Sequence, residues 1–163
     1  MDLKLKPAID SANDEMQLYY AQKQCSAQWR VFLLAISSEI FNHASDGDAK
    51  LFFREVGGEM ARRMPLPQAK SLVELQELMN DQFDRMDWGQ VELSDAGEGI
   101  DICHYAAPSS IAEDAREVWS RSLSYTLEGL YGHWFQAQGA AEYLTTNVVS
   151  STVPGMFVLR HSR

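Results

Sequence analysis

The chain is short of cysteine, of basic residues and of long apolar runs, and each shortage closes off a class of function. Cys25 and Cys103 are its only thiols among 163 residues. They lie too far apart for a close-spaced metal or redox motif, so free, reduced cysteines are expected. Lys and Arg total 14 against 23 Asp and Glu, a net charge of −9, and that field opposes binding to phosphate backbones or anionic lipid. No stretch approaches the roughly 18 apolar residues of a membrane span, and the segment Met1 to Pro7 lacks the apolar core of a secretory signal. Neither nucleic acid nor direct membrane insertion is therefore expected, and the cytoplasm is the expected compartment.

Catalytic signatures are missing too. There is no Gly-x-Ser-x-Gly elbow, no phosphate-cradling glycine loop after a strand and no dinucleotide fingerprint. His43, His104, His133 and His161 form no close-spaced pair, so a metal site would have to be assembled wholly by tertiary contacts, and neither metal nor cofactor is expected. His133, beside Trp134, reads either as a titrating group at an interface or as a satisfied, partly buried histidine.

What is present is a run of apolar periodicities, undivided by any Gly-, Ser- or Pro-rich spacer. Residues 1–26 are polar and mixed in charge, with Tyr19 and Tyr20 as the main apolar content, and read as an arm. Residues 27–163 read as one domain. Helical spacing places Trp29, Phe32, Leu33, Ile36 and Ile40 on one face between Gln28 and His43, with Ser45 to Asp48 as a stop and restart. A second helix, about Ala49 to Met64, is expected to bury Phe53, Val56, Met60 and Met64 and is closed by Pro65-Leu66-Pro67. A third, about Leu72 to Met86, uses Leu72, Leu75, Met79, Phe83 and Met86. The period then changes to two. Val91 to Leu93 and Ile100 to His104 flank a turn and read as a hairpin. A long helix, about Val118 to Ala137, follows, and then strands from Tyr143 to Val149 and from Met156 to His161 about Pro154-Gly155. The expected class is α+β: N-terminal helices and a small antiparallel sheet of about four strands, with a long helix between two hairpins.

The long helix carries the strongest local signal. Trp119, Leu123, Leu127, Leu130 and Trp134 form a heavy apolar stripe, and Gly129 and Gly132 fall on the opposite face. Each glycine costs roughly 1 kcal/mol of helix stability relative to Ala, which points to close approach of another backbone. The Gly57-Gly58 pair in the second helix carries the same implication, or marks a bend. A leucine at Gly129 or Gly132 is expected to push apart whatever packs there. Trp29, Trp119 and Trp134 read as core; Trp88 beside Gly89 is the best candidate for an exposed ring, but core is the favoured reading there too. Asp84, Asp87, Glu92, Asp95, Glu98 and Asp101 form an acidic run opposed only by Arg85. Such a run reads as a solvated face; the alternative is a glycosidase with two carboxyls held across a cleft.

Several segments taken together resemble one family. They are Arg54-Glu55-Val56-Gly57 with Met60; Arg63-Met64-Pro65-Leu66-Pro67; the stretch Leu75 to Asn80; Trp88-Gly89 with Val91 and Leu93; Ile102 to His104 with Pro108; and Leu127 through Trp134 followed by Gln138. In this order they resemble the D proteins of bacterial cellulose synthase operons. The resemblance implies a noncatalytic accessory protein, since the polymerising glycosyltransferase is a different polypeptide of the synthase. It implies a cylindrical homo-octamer, a tetramer of dimers, that partners other cellulose synthase subunits and helps arrange extruded glucan chains into ordered ribbons. In such a closed ring Gly57, Gly58, Gly129, Gly132 and Trp134 would serve close helix contacts within and between protomers.

The resemblance also implies that the N-terminal segment lines passages inside the cylinder, although this chain departs from the family in a longer segment before its first core helix. On that picture Gln22, Lys23 and Gln24 hydrogen-bond glucan hydroxyls and Tyr19 and Tyr20 stack on pyranose faces; a disordered arm and a protein-binding arm are the other readings. Two alternatives of other classes stand beside the scaffold. One is a glucan-acting hydrolase using paired carboxylates such as Glu92 and Asp101, and the other is a small-molecule sensing module built around an apolar pocket. Association with the inner-membrane synthase from the cytoplasm is expected, with the periplasm as the alternative suited to emerging glucan.

Overall fold

Two serines set the starts of two helices in the computed structural model, which describes residues 26–108, 115–151, 153 and 155–163. The expectations for Tyr19, Tyr20, Gln22, Lys23, Gln24 and Cys25 lie outside the described residues. Helix α1 spans Ala27–His43. Helix α2 spans Asp46–Arg63, with the Ser45 hydroxyl accepting from the Asp48 amide, acidic residues in its first turn and Arg62 and Arg63 in its last. The spacing of apolar residues places the start of this helix at Ala49. The segment Asp46-Gly47-Asp48 instead forms its first turn, where carboxylates are favoured by the helix dipole. Helix α3, Leu72–Met86, begins in the same way, with the Ser71 hydroxyl accepting from the Glu74 amide. It ends at Asp87 in the left-handed region, followed by Gly89 at φ 82°. A side chain at Gly89 would collide with the Tyr105 carbonyl, so only glycine fits that crossing.

Strands β1 (Gln90–Asp95) and β2 (Ile100–Tyr105) form the first hairpin. Helix α4, Arg116–Ala137, leads to the second, β3 (Thr145–Ser150) and β4 (Phe157–Ser162), whose register shifts between Val148 and Ser150. Antiparallel pairing of β2 with β4, from Ile100 opposite His161 to His104 opposite Phe157, joins the two hairpins. The strand order is β1-β2-β4-β3. Alternation puts Val91, Leu93, Ile102, His104, Phe157, Leu159 and His161 on the buried face, and Gln90, Glu92, Tyr105, Asn147 and Arg160 on the open one.

The apolar stripe of α4 meets that buried face and α3. Leu75, Met79, Phe83, Leu123, Leu127, Leu130, Trp134 and Leu159 belong to one core. The opposite face of α4 receives α2, so α4 is buried on both sides.

Three expectations about burial are corrected. The inward face of α2 is Ala49, Phe53, Gly57 and Ala61, and Val56 is 37% exposed because this ladder is rotated from the one read in sequence. Trp29, expected in the core, is 60% exposed, and Phe32 is 55% exposed. Helix α1 is anchored near its C-terminal end, where Phe41 stacks on Phe53 with ring centres 5.5 Å apart and lies beneath the Arg121 guanidinium. Its apolar N-terminal half packs on no other part of the described chain deeply enough to be buried.

Candidate functional site

The family-like segments, scattered in sequence, converge along α4. A Cβ at Gly129 would lie 1.9 Å from the Arg54 carbonyl oxygen, and one at Gly57 would lie 1.9 Å from the Thr126 carbonyl oxygen. The two glycines thus seat the backbones of α2 and α4 directly on each other, within a single chain. Gly58 makes room for the His133 imidazole, whose Nε2 is 3.0 Å from Arg62 Nη1. Gly132 differs from its neighbour. A Cβ there would meet only Thr146 Oγ1, at 3.7 Å, an ordinary contact.

The Met64 to Gln68 segment then runs beside the C-terminal half of α4. Trp134 Nε1 donates to the Met64 carbonyl at 2.9 Å, and Gln138 Nε2 donates to the Pro67 carbonyl at 2.9 Å. Gln138 Oε1 accepts from the Ala69 amide at 2.8 Å, and Gln68 donates to the Ala137 carbonyl at 2.7 Å. Trp134, 1% exposed, is therefore a core residue with its one polar atom satisfied.

Glu128 is a residue that sequence patterns do not single out. It is 2% exposed. Lys50 Nζ lies 3.0 Å and Arg54 Nη1 3.6 Å from its Oε2, while its Oε1 accepts from the Val148 amide at 3.0 Å. One carboxylate thus ties α2, α4 and edge strand β3 together, and the two cations offset the cost of burying it. The β1 edge is tied to α3 by side chains. Asn80 of α3 accepts from the Val91 amide and donates to its carbonyl, at 2.7 and 3.0 Å, and Gln76 accepts from the Leu93 amide at 2.8 Å. The Val91 amide and carbonyl and the Leu93 amide at the β1 edge, and the Val148 amide at the β3 edge, are thereby occupied. The only hint for Glu128 is a lone charge inside an apolar helical run; Asn80 and Gln76 give none.

A second polar centre lies under the sheet. His104 Nε2 is 2.7 Å from the Trp88 carbonyl and Nδ1 is 2.6 Å from the Tyr131 hydroxyl. A carbonyl only accepts, so Nε2 carries the proton and the neutral ring accepts from Tyr131. Burial lowers the His104 pKa to about 4 and raises that of Tyr131 well above the usual phenol value. Phe83 packs its ring against His104 and Trp134, with centres 4.6 and 5.4 Å apart. His161, stacked on Phe135 and 2.9 Å from Thr146 Oγ1, also has its pKa lowered by burial. Among the described residues no cluster of His, Cys, Asp and Glu has the arrangement of a metal site.

The acidic run lies at the surface. Glu92 accepts from the Tyr105 hydroxyl at 3.2 Å, and Asp101 is held by Arg160 through two bonds of 2.6 and 2.9 Å. The Arg160 hydrogen bonds keep the Asp101 carboxyl below its ordinary pKa. Both carboxylates stand on the open face of the sheet. Depressions among the described residues include an open groove along α2 and another beside the β1–β2 turn. No described helix is long and apolar enough to cross a membrane.

The family model for the D subunit of cellulose synthase matches residues 15–162, beginning inside the segment read as an arm. A cellulose synthase operon protein D of Komagataeibacter xylinus is 31% identical over 142 residues, covering 82% of this chain and 89% of the relative. The protein of that name from Komagataeibacter sucrofermentans is likewise 31% identical over the same shares, and another from Komagataeibacter xylinus is 30% identical. A match spanning almost the whole described fold, including every element that meets α4, shows that this chain belongs to the cellulose synthase D-protein family.

Proposed function

We propose that this chain is a noncatalytic accessory subunit of a bacterial cellulose synthase complex, forming a ring-like homo-octamer, a tetramer of dimers, that aids export, arrangement or crystallisation of glucan chains. The observation that carries this reading is α1. A 17-residue helix anchored near one end, with Trp29, Val31 and Phe32 more than half exposed, is an element whose apolar face is completed by another chain. The occupied Val91 and Leu93 backbone groups support the same reading, because they disfavour strand addition at the β1 edge and point to helix faces. The welded α2–α4 pair supplies a rigid block on which a closed ring depends.

Noncatalytic status is supported by the state of the best acid pair. A glycosidase needs one carboxyl with a raised pKa inside a cleft, whereas Asp101 is shifted downward and stands on an open face. The polar and aromatic groups from Tyr19 to Gln24 are assigned the glucan contacts in this reading, and the assembly is placed on the cytoplasmic side of the synthase with other synthase subunits as partners. Native mass spectrometry at micromolar concentration is the direct test. Eight copies are expected, and a stable monomer would sink the proposal. Incubation with cello-oligosaccharides should release no product, and cell fractionation of tagged protein should recover it with the cytoplasmic face of the inner membrane.

A further inference from the structure

Helix α1 is joined to the rest of the described fold chiefly toward its C-terminal end. Ser37 is 3% exposed, whereas exposure reaches 55% at Phe32 and 60% at Trp29. Phe41 sits in a clamp that α2 and α4 build around it. Its ring stacks on Phe53 of α2 with centres 5.5 Å apart, meets Tyr125 of α4 at 6.5 Å and is covered by the Arg121 guanidinium at 4.3 Å. Asp46, at the start of α2, holds that guanidinium at 2.7 Å. The backbone divides close by. The ladder of α1 closes with the Ala44 amide on the Ile40 carbonyl, and that of α2 opens afresh from Ser45, whose hydroxyl and carbonyl take the Asp48 and Ala49 amides. Ala44 and Ser45 are both extended, at ψ 155° and 157°.

We infer that α1 is a hinged arm: the joint at Ala44-Ser45 is its pivot, the clamp on Phe41 is its latch, and release of that ring frees the helix from the α2–α4 block while the block stays folded. Each helix completes its end on its own side of the joint, so a rotation about ψ of Ala44 or Ser45 breaks neither ladder. The block has a seam of its own, since Gly57 and Gly129 seat α2 on α4 without any part of α1. The latch is an aromatic stack with a cation over the ring, and contacts of that kind are weak one by one. Opening it therefore requires far less than opening the core around Leu127 and Trp134. Trp29 and Phe32 ride on the arm, so the latch sets where the face assigned above to another chain points. That consequence rests on the proposed assembly; the hinge itself does not.

Amide hydrogen exchange read by mass spectrometry on the full chain tests the hinge, with parent and variants at one protein concentration. In Phe41→Ala, peptides covering Val31 to Ile40 should exchange about tenfold faster or more, while those covering Leu123 to Trp134 keep the parental rate. Arg121→Met keeps a chain over the Phe41 ring and removes its cation, so it should speed the same α1 peptides by a smaller factor and leave α4 unchanged. Loss of protection in α1 and α4 together, including outright unfolding of Phe41→Ala, would show one cooperative unit and overturn the hinge. Parental α1 rates in Phe41→Ala would overturn the latch. Sedimentation of the parent separates this from the assembly reading: a monomer whose α1 alone loosens in Phe41→Ala would sink the assembly and leave the hinge standing.

Discussion

Gly129→Ala and Gly132→Ala add the same methyl group to the same helix, three residues apart, and are expected to move stability in opposite directions. Replacing glycine by alanine inside a helix gains roughly 1 kcal/mol from backbone entropy. At Gly132 the new Cβ finds Thr146 Oγ1 at 3.7 Å, so the gain is kept. At Gly129 the Cβ falls 1.9 Å from the Arg54 carbonyl oxygen and 2.7 Å from its carbon, roughly 1.5 Å inside a normal nonbonded separation. The obstacle is backbone, so it has no alternative rotamer, and α2 must retreat along the crossing. Overpacking of this kind costs about 3 kcal/mol, leaving a net loss of about 2 kcal/mol. For a chain of this size 1 kcal/mol moves Tm by about 2–4 °C, so Gly129→Ala should melt about 4–8 °C below the parent and Gly132→Ala about 2–4 °C above it. Calorimetry at matched protein concentration reads both. Equal melting temperatures for the two variants, or an unaffected Gly129→Ala protein, would refute the reasoning.

Acid should destabilise the fold through His104. Its pKa is lowered to about 4 in the native state and lies near 6.5 in an unfolded chain, so between those values the unfolded state binds the additional proton. Stability should therefore fall as pH drops from about 6.5 toward 4, by up to about 3 kcal/mol, and the downward shift of His161 acts in the same direction. Urea midpoints across that range should track the loss, and a flat profile would contradict it. Glu128→Ala should lose about 3 kcal/mol, since it leaves Lys50 and Arg54 without their shared partner and the Val148 amide unsatisfied. Glu128→Gln, which keeps an acceptor for Val148, should lose less; the same denaturation curves would show whether that order holds. Asn80→Ala removes both bonds to Val91 and should lower stability by about 2 kcal/mol while opening the β1 edge, read as faster growth of light scattering on heating.

The elements are legible where local chemistry is sufficient. The extent of α3 follows from apolar spacing and the structure reproduces it, and the β1–β2 hairpin stands where alternation puts it, although Ser94 and Asp95, read as turn, extend β1. The start of α2 is ambiguous because Asp46-Gly47-Asp48 suits both a loop and a first helical turn, and the Ser45 cap decides between them only once it is made. Val56 reads as inward because the ladder through Val56 and Met60 is as apolar as the true one, whose inward positions include three small residues, Ala49, Gly57 and Ala61. A small residue at a close crossing looks weak in a hydrophobic pattern and is decisive in three dimensions.

Periodicity, capping and alternation are properties of neighbours along the chain, so the sequence alone is enough to determine an α+β domain with a central glycine-bearing helix and two hairpins. What those elements face is decided only by the tertiary structure. It separates Gly129, pressed on Arg54, from Gly132, which has room. It brings Glu128, Asn80 and Gln76 to backbone groups at the sheet edges, and it leaves Trp29 and Phe32 exposed. The reason is physical: a hydrophobic stripe states that a surface will be buried, but the identity of the partner depends on the packing of residues distant in sequence, or of another chain.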